Sequence, residues 1–580
     1  MADTGLPRPT VPHRHPAPSP GRALDRRSFL VTSGLAVGTA AAVTGVPGSA
    51  LAATGSARPG TLPSDPFTLG VASGDPDPGG FVLWTRLALN PLAEDGLGGM
   101  PATSFPVEWQ IAADERFRRV VRRGVAAARP ESAHSVHVEL AGLRPGTEYW
   151  YRFRVAGHVS PAGLTRTAPR HDTFGPALAM AFVSCSQFEH GFFTAYRRLA
   201  EEQPDLILHL GDYHYEYKKG TYNSPGGNVR DHEGPETVTL ATYRQRHAQY
   251  KSDPDLQAAH AAAPWLVVWD DHEVENNWAD ETPEAGSDTP VTADFLARRA
   301  AAFKAYYENM PLRRSSVPKG YDMQLYRRVR WGRLAGFHML DTRQFRDDQA
   351  CGDGYKDCPA ASDPARSITG AAQEKWLLDG FRRSGARWDV LGQQVFFAQR
   401  DNTDGPVKKT SMDGWDGYVA SRDRITQGWL DAKVRNPVVL TGDVHAHWAS
   451  DLKANYDDPA SAVVGSELVC SSITSGGDGA DSDPASQPFL KINPHLRFYN
   501  NQRGYVLTRI GKEELKADFK TLPTVRTAGA AASTKATFVI EDRVPGVKQT
   551  YLRPYAAPKI AAKSADDVIQ ETIDNETRRP

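Results

Sequence analysis

Neither sign of charge is in excess in this chain: 68 lysines and arginines face 69 aspartates and glutamates, for a formal net charge of -1. A protein built to follow a phosphate backbone needs a basic surplus, so nucleic-acid binding is excluded as the primary role. Cysteine is as scarce, four residues in 580. That excludes a small disulfide scaffold and leaves the fold to a hydrophobic core, for which 40% apolar residues are ample. Beyond the N-terminus no apolar run is long enough to span a bilayer. The N-terminus itself reads "DRRSFLVTSGLAVGTAAAVTGVPGSALAA". It has paired arginines Arg26 and Arg27, an apolar stretch diluted by Gly, Ala and Thr and broken by Gly45, Pro47 and Gly48, and the small-residue cleavage site Ala50-Leu51-Ala52. These mark residues 1–52 as a signal peptide with a twin-arginine address, and so name the twin-arginine translocase as an export partner. The mature protein is expected outside the cell, secreted or wall-associated, as a monomer without a membrane span. Export in the folded state would let it leave with a cofactor loaded.

In an oxidising compartment "CGDGYKDC" reads as a local loop closed by a Cys351–Cys358 disulfide, favoured over two free thiols. Cys185 and Cys470 are left over, and Cys470 reads as a small buried apolar residue.

After a Pro/Ser/Gly-rich linker (53–66), stretches such as "FVLWTRL", "PVEWQIAAD" and "HSVHVELAGLRPGTEYWYRFRVAG" alternate apolar and polar residues between Gly, Pro and Asp turns. They predict a β-sandwich over 67–169, and the "LRPGTEYWYRFRV" stretch resembles a strand of fibronectin type III domains. This segment holds no cluster of reactive side chains and is read as a scaffold. Over 175–545 the pattern changes to short, almost wholly apolar runs that end in polar residues, interleaved with helical patterns such as "TADFLARRAAAFKAYYENM". Strands buried on both faces and joined by helices are the mark of an α/β fold, in which ligands sit beyond the carboxyl ends of the strands. Residues 546–580 are expected to form a C-terminal tail with a short helix.

Four of these strand ends carry chemistry: Ser184-Cys185-Ser186-Gln187; Gly211 to Glu216, "GDYHYE"; Asp270-Asp271-His272-Glu273 followed by Asn276-Asn277; and Gly442-Asp443-Val444-His445-Ala446-His447. One aspartate after a strand is commonly a turn or cap residue. Four such ends in order would gather carboxylates that repel one another unless cations neutralise them. Thiolate, imidazole and phenolate from Cys185, His445 and Tyr215 suit a transition metal, and a phenolate favours Fe(III). Oxygens of Asp270 or Asp271, Asn277 and Asp443 suit Ca²⁺ ahead of Mg²⁺ or Mn²⁺, and Asp212 is able to bridge two ions.

The order of these motifs resembles that of the calcineurin-like metallophosphoesterases, whose strand ends read D-x-H, G-D-x-x-D, G-N-H-E and G-H-x-H. This chain departs from that pattern by Cys185 in the first motif, Tyr215 for the second aspartate of G-D-x-x-D, Asp271 for the asparagine of G-N-H-E and Asp443 for the first histidine of G-H-x-H. The departures are similar to those of PhoD-type alkaline phosphatases, as are "SGDP" (Ser73 to Pro76), "VLWTR" (Val82 to Arg86) and "LDTRQ" (Leu340 to Gln344). The resemblance implies a four-layer α/β/β/α sandwich behind the N-terminal fibronectin-III/Ig-like β-sandwich. It also implies Fe(III) on Cys185, Tyr215 and His445, a bridging Asp212, and Ca²⁺ on Asp443, Asn277 and either Asp270 or Asp271. A second calcium belongs to the family's pattern, with ligands that the sequence does not assign.

The expected chemistry is in-line attack on phosphorus by an oxygen species held between the metals. The expected function is hydrolysis of phosphomonoesters and phosphodiesters for phosphate acquisition. A secreted phospholipase D or a phosphodiesterase on wall polymers is the alternative use of the same site. A wall-binding protein with a degenerate catalytic domain is the alternative of a different class, against which every matched position still holds a plausible ligand. His272 is a candidate acid or phosphate-oxygen donor, its alternative an inert strand-end histidine. Arg343 is a candidate bidentate phosphate binder, its alternative an ion pair with Asp341 or Asp347. His447 is expected outside the site, since the last motif is complete at His445.

Overall fold

The computed structural model describes residues 61–285, 292–482, 487–555 and 569–570. The expected signal peptide and most of the expected linker lie outside the described residues, as does all of the expected C-terminal helix except Ile569 and Gln570, which are helical.

Runs of β-branched and aromatic residues that can bury both faces make the two central sheets. In the first, Leu178–Val183, Leu206–Leu210 and Trp265–Val268 run parallel, with Ile207 opposite both Ala181 and Trp265. The antiparallel meander Gly504–Ile510, Glu514–Thr521, Ser533–Glu541 and Val544–Leu552 continues this sheet beyond Leu178–Val183. In the second sheet Ala335–Met339, Trp388–Gly392, Pro437–Thr441 and Val463–Val469 are parallel. Arg327–Trp331 closes one edge antiparallel, and His447–Lys453 and Leu496–Asn500 close the other.

The sheets share one core that includes Phe182, Leu208, Val390, Leu440, Phe498 and Phe519. Successive residues of a strand point to opposite faces. Val438 and Leu440 accordingly belong to the shared core, while Val439 packs with Leu377, Phe381, Ile425 and Trp429 of the helices Gly370–Arg382 and Val419–Ala432. Around the first sheet, helices Thr194–Glu201, Leu240–Lys251, Pro254–Ala262 and Thr292–Asn309 contribute Tyr196, Tyr250, Leu256 and Tyr306. The layering is the expected α/β/β/α.

The expected sandwich is present, but it is not a free spacer. Val71–Asp77, Gly80–Arg86 and Ser135–Glu139 form one layer, and Phe105–Ala112, Val120–Ala128, Glu148–Val155 and Gly163–Arg166 the other. Alternate residues Tyr149, Tyr151, Phe153 and Val155 fill the space between them. Val71–Asp77 also runs parallel to Trp265–Val268 with Gly74 opposite Trp265, so one sandwich layer extends the first central sheet. A Cβ on Gly74 would lie 2.6 Å from the Pro311 carbonyl oxygen, which explains the glycine of "SGDP".

The "VLWTR" stretch supplies the joint. Trp84 donates its indole N–H to the Glu308 carbonyl (2.9 Å). The fully buried Arg86 donates to the carbonyls of Ala133 (3.1 Å), Arg244 (3.1 Å) and Gly96 (2.7 Å) and to Asn309 Oδ1 (3.2 Å). Burial lowers the Arg86 pKa to about 10, against the opposing pull of Glu308.

One further difference from the sequence reading concerns the C-terminal end. The tail expected from residue 546 begins inside a strand, since Val544–Leu552 pairs with Ser533–Glu541. Pro545 and Gly546, residues typical of turns and edges, hid that strand. Cys351 and Cys358 form the expected disulfide.

Replacing Arg86 by alanine orphans buried carbonyls from both sides of the joint, at roughly 1–3 kcal/mol for each group left unpaired. Denaturant unfolding of the full chain should show a loss of about 3 kcal/mol or more. Val125→Ala, on a side chain of the same sandwich that is 67% exposed, should change stability by less than about 0.5 kcal/mol. Equal midpoints for the two variants would sink the assignment of Arg86 as the joint.

Candidate metal centre and active site

The carboxyl ends of Leu178–Val183, Leu206–Leu210, Trp265–Val268 and Pro437–Thr441 deliver the four polar segments to one place. The turns there are tight. Cys185 N–H donates to the Gly211 carbonyl (3.1 Å) and Ser186 N–H to that of Asp212 (2.9 Å). A Cβ on Gly211, at φ +112°, would lie 2.4 Å from Asp270 Cβ, and one on Gly442 would lie 2.7 Å from Ser184 Cβ. Cys185, Asp212, Asn277, Asp443 and His445 all adopt left-handed backbone angles, φ between 49° and 62°. Each such residue costs of order 1–3 kcal/mol, a strain that packed surroundings must hold in place.

Two groups of ligand atoms result. Cys185, Asp212 and His445 bring one donor atom each to within 4.8 Å of one another, as do Asp212, Asp271 and His272. Asp212 belongs to both. Tyr215 joins the first group: its hydroxyl donates to Asp212 Oδ2 (2.9 Å), lies 3.3 Å from His445 Nε2 and accepts from Ser475 Oγ (2.7 Å). Beside the second group, Asn277 donates its backbone N–H to Asp271 Oδ2 (2.8 Å) and its amide Nδ2 to Asp353 Oδ2 (2.7 Å), leaving its amide oxygen for a cation. Cys185, Tyr215, Asp212 and Asp271 are buried, whereas Asn277 and Asp443 keep partial exposure.

The donor set fits metal ions. Asp212 Oδ1, Asp270 Oδ2 and Asp271 Oδ1 are buried with no hydrogen-bond partner, which costs too much to leave uncompensated in a stable fold. Burial, and then repulsion from Asp271, Asp270 and Glu273, pushes the Asp212 carboxyl far above its usual range against the pull of His272. Burial, reinforced by Asp270 and Asp413, does the same to Asp443. Burial and Asp212 raise both the Cys185 thiol and the Tyr215 phenol. Without a cation, burial favours the protonated forms of Asp212, Asp443, Cys185 and Tyr215; a bound cation would favour their deprotonated forms, which are ligands.

The geometry separates the aspartate pair. Asp270 Oδ1 accepts from Arg343 Nε (2.5 Å), and Arg343 partly offsets the burial that lifts its pKa to about 7. Asp271 sits in the second ligand group, and there Arg343 and His272 outweigh burial and hold its carboxyl below the usual range. Asp271 is therefore the ligand candidate and Asp270 a member of the supporting network.

Arg343 is not the free phosphate fork that the sequence admits, and its guanidinium pairs with neither Asp341 nor Asp347, although its backbone N–H donates to Asp341 Oδ1 (3.1 Å). It is fully buried, with Nε on Asp270 and Nη1 and Nη2 on Asp413 (2.9 and 2.8 Å). With all three nitrogens engaged on carboxylates, no pair remains to grip a substrate. Arg346 Nη1 also donates to Asp413 (3.0 Å), and Gln349, just before the disulfide loop, bonds both Asp413 (2.9 Å) and the Asn277 carbonyl (2.9 Å).

His272 is well placed for a proton. Its Nδ1 lies 2.8 Å from Glu216 Oε2, and its Nε2 faces Asp271 at 4.0 Å. Burial disfavours its charged form, but Glu216, Asp271 and Asp212 outweigh burial and hold its pKa well above the usual value. Glu273 accepts three backbone N–H groups, from Asp212 (3.1 Å), Tyr213 (2.6 Å) and Asp270 (2.9 Å), and so ties two ligand loops together. Burial lifts its pKa to about 8 against those bonds. His447 stands outside the ligand groups, accepting from Ser471 N–H (3.0 Å), and burial lowers its pKa to about 3. Cys470 is buried with its thiol 3.5 Å from the Thr441 carbonyl.

Sequence reasoning missed Glu216, Glu273, Asp353, Asp413 and Ser475 as parts of the site. Glu216 and Glu273 stand inside stretches that the pattern singled out. Asp413 follows no apolar strand that would have flagged it, and Ser475 stands six residues beyond Val463–Val469, a strand whose end the pattern did not single out.

Residues 180–519 match the family model of the PhoD-like phosphatases, and residues 53–169 match that of the PhoD-like phosphatase N-terminal domain. Alkaline phosphatase D of Bacillus subtilis (strain 168) is 48% identical over 550 residues, which cover 94% of this chain and 92% of the relative. A solved structure of PhoD matches with a TM-score of 0.84 at 47% identity, covering 89% of this chain and 98% of that one.

Asp413→Asn leaves two buried guanidinium groups facing a neutral amide. The variant should lose about 3–5 kcal/mol of stability in denaturant unfolding and bind its metals about 10- to 100-fold more weakly. Wild-type stability with wild-type metal affinity would show that Asp413 is not the anchor of Arg343.

Proposed function

Because the chain belongs to the PhoD-like phosphatase family and is a phosphoric ester hydrolase, we propose that it is an exported two-metal phosphatase that cleaves phosphomonoesters and phosphodiesters to supply phosphate. The observation that carries this reading is Asp212, one buried carboxylate shared by a sulfur- and nitrogen-containing group and an oxygen-rich one. On this reading Cys185, Tyr215 and His445 hold Fe(III), and Asp271, Asn277 and Asp443 hold Ca²⁺, with Asp212 common to both. The ligands of a second calcium are not assigned. When bound, the cations supply Lewis-acid polarisation of the phosphoryl group and compensation for charge developing on its oxygens.

The chain's own residues do the rest. Burial of Cys185 and Tyr215 closes the iron side, and the partial exposure of Asn277 and Asp443 leaves the calcium side for substrate approach. Glu216 fixes Nδ1 of His272 and so turns Nε2 toward the ligand carboxylates, where it can give a proton to a phosphoryl or leaving-group oxygen. Arg343 and Asp413 hold Asp270 away from the substrate and keep the adjacent Asp271 in position. The sequence "DRRSFL" with its cleavage site supports twin-arginine export in the folded state and a location outside the cell. No helix among the described residues is long and apolar enough to cross a membrane.

Elemental analysis of the purified full chain should find iron and calcium together. Hydrolysis of p-nitrophenyl phosphate and of its bis ester should fall on calcium chelation and return with added Ca²⁺. Tyr215→Phe should remove the visible absorption band and lower kcat by more than about 100-fold. Zinc as the sole metal, or activity indifferent to strong chelators, would overturn the iron and calcium assignment.

A further inference from the structure

We infer that Ser475 is a positioning residue that sets the electron donation of Tyr215 to its metal, an inference that rests on the Fe(III)-phenolate reading above. Ser475 is fully buried. Its Oγ accepts the backbone N–H of Gln187 (3.1 Å) and donates to Tyr215 Oη (2.7 Å). A serine hydroxyl carries one proton. With the Gln187 N–H on its oxygen, that proton is directed at the phenol oxygen.

The serine is held against the turn that carries Cys185. Its N–H donates to the Cys185 carbonyl (3.3 Å), and its carbonyl accepts from Ser472 Oγ (2.7 Å). Ser472 itself pairs with Ser184 in a parallel bridge, and Thr474 Oγ1 donates to the Gln187 carbonyl (2.7 Å). The segment 472–475 therefore links two of the assigned iron ligands through fixed contacts, the arrangement by which outer groups orient and tune a metal's ligands.

The free phenol gives its own proton to Asp212. Once Tyr215 is a phenolate that bond has no proton, and Ser475 becomes the hydroxyl that stabilises the oxygen. In a buried site such a bond is stronger than in water. It draws electron density from the phenolate, which raises the energy of the phenolate-to-iron transition and makes Fe(III) easier to reduce.

The test uses the full chain purified with its metals. Ser475→Ala should move the visible band to longer wavelength and make the iron harder to reduce, with kcat lowered about 10- to 100-fold. Ser475→Thr, which keeps the hydroxyl, should return the band toward its wild-type position. Resonance Raman spectra of the wild type in H₂O and D₂O give a reading that needs no variant, since exchange of the serine proton should shift the phenolate C–O stretch. A coloured wild type whose stretch is unmoved by D₂O, or a Ser475→Ala band and potential equal to the wild type, would overturn the role of Ser475 alone. A colourless, iron-free wild type would overturn the iron reading and this inference with it.

Discussion

Buried negative charge is the constraint around which this molecule is organised. Asp212, Asp270, Asp271, Asp413, Asp443 and Glu273 meet at the ends of strands from both sheets, and the protein answers them with Arg343, Arg346 and His272. The deficit has a definite address, because the unpartnered oxygens are those of Asp212, Asp270 and Asp271. Isolated buried carboxylates take up protons or find cations. A site that gathers so many of them beside a thiol, a phenol and an imidazole is built for cations, and the family to which the chain belongs gives that construction its use on phosphate esters.

The backbone shows what this gathering costs. Ligand side chains on adjacent strand ends point outward along diverging directions unless the chain reverses sharply, and here it does so through left-handed residues at Cys185, Asp212, Asn277, Asp443 and His445. Glycine at 211 and 442 lets one turn rest against the next at distances that no Cβ would tolerate. The rigid two-sheet core and the Glu273 hydrogen bonds hold the strain in place. The joint at Trp84 and Arg86 belongs to the same sheet, where one layer of the sandwich continues the strand order beyond Trp265–Val268.

Local pattern made much of this legible. Apolar runs ending in polar residues located the strands and the ligand segments, because a strand buried on both faces must be apolar and its end is where polar groups can emerge. Pairing over long separations left no such trace. Arg343 and Asp413 are 70 residues apart, Tyr215 and Ser475 260. Local sequence offered Asp341 and Asp347 as partners for Arg343 only because they stand nearby in the chain. The parallel pairing of Gly74 with Trp265 is of the same kind, and so the sandwich looked separable where it is fused. At residue 546 the reverse error occurred, since Pro545 and Gly546 read as a break although the sheet carries its last strand through them.

The aspartate pair shows how a distant contact decides a local ambiguity. Asp270 and Asp271 are adjacent, both are buried, and composition offers no ground for choosing between them. Arg343 chooses: its Nε is taken by Asp270, and its two Nη atoms are taken by Asp413, which Arg346 holds from the other side. Asp270 thus has Oδ1 taken by Arg343, while its Oδ2 keeps no hydrogen bond. Asp271 likewise keeps Oδ1 without a hydrogen bond and lies at 3.7 Å from Arg343 Nη2; it differs in that Arg343 and His272 hold its carboxyl below the usual range and in that it shares a donor group with Asp212 and His272. A carboxylate that is ionised yet incompletely paired is suited to holding a cation. The guanidinium that first reads as a substrate clamp acts one step earlier, by settling which aspartate is left for the cation.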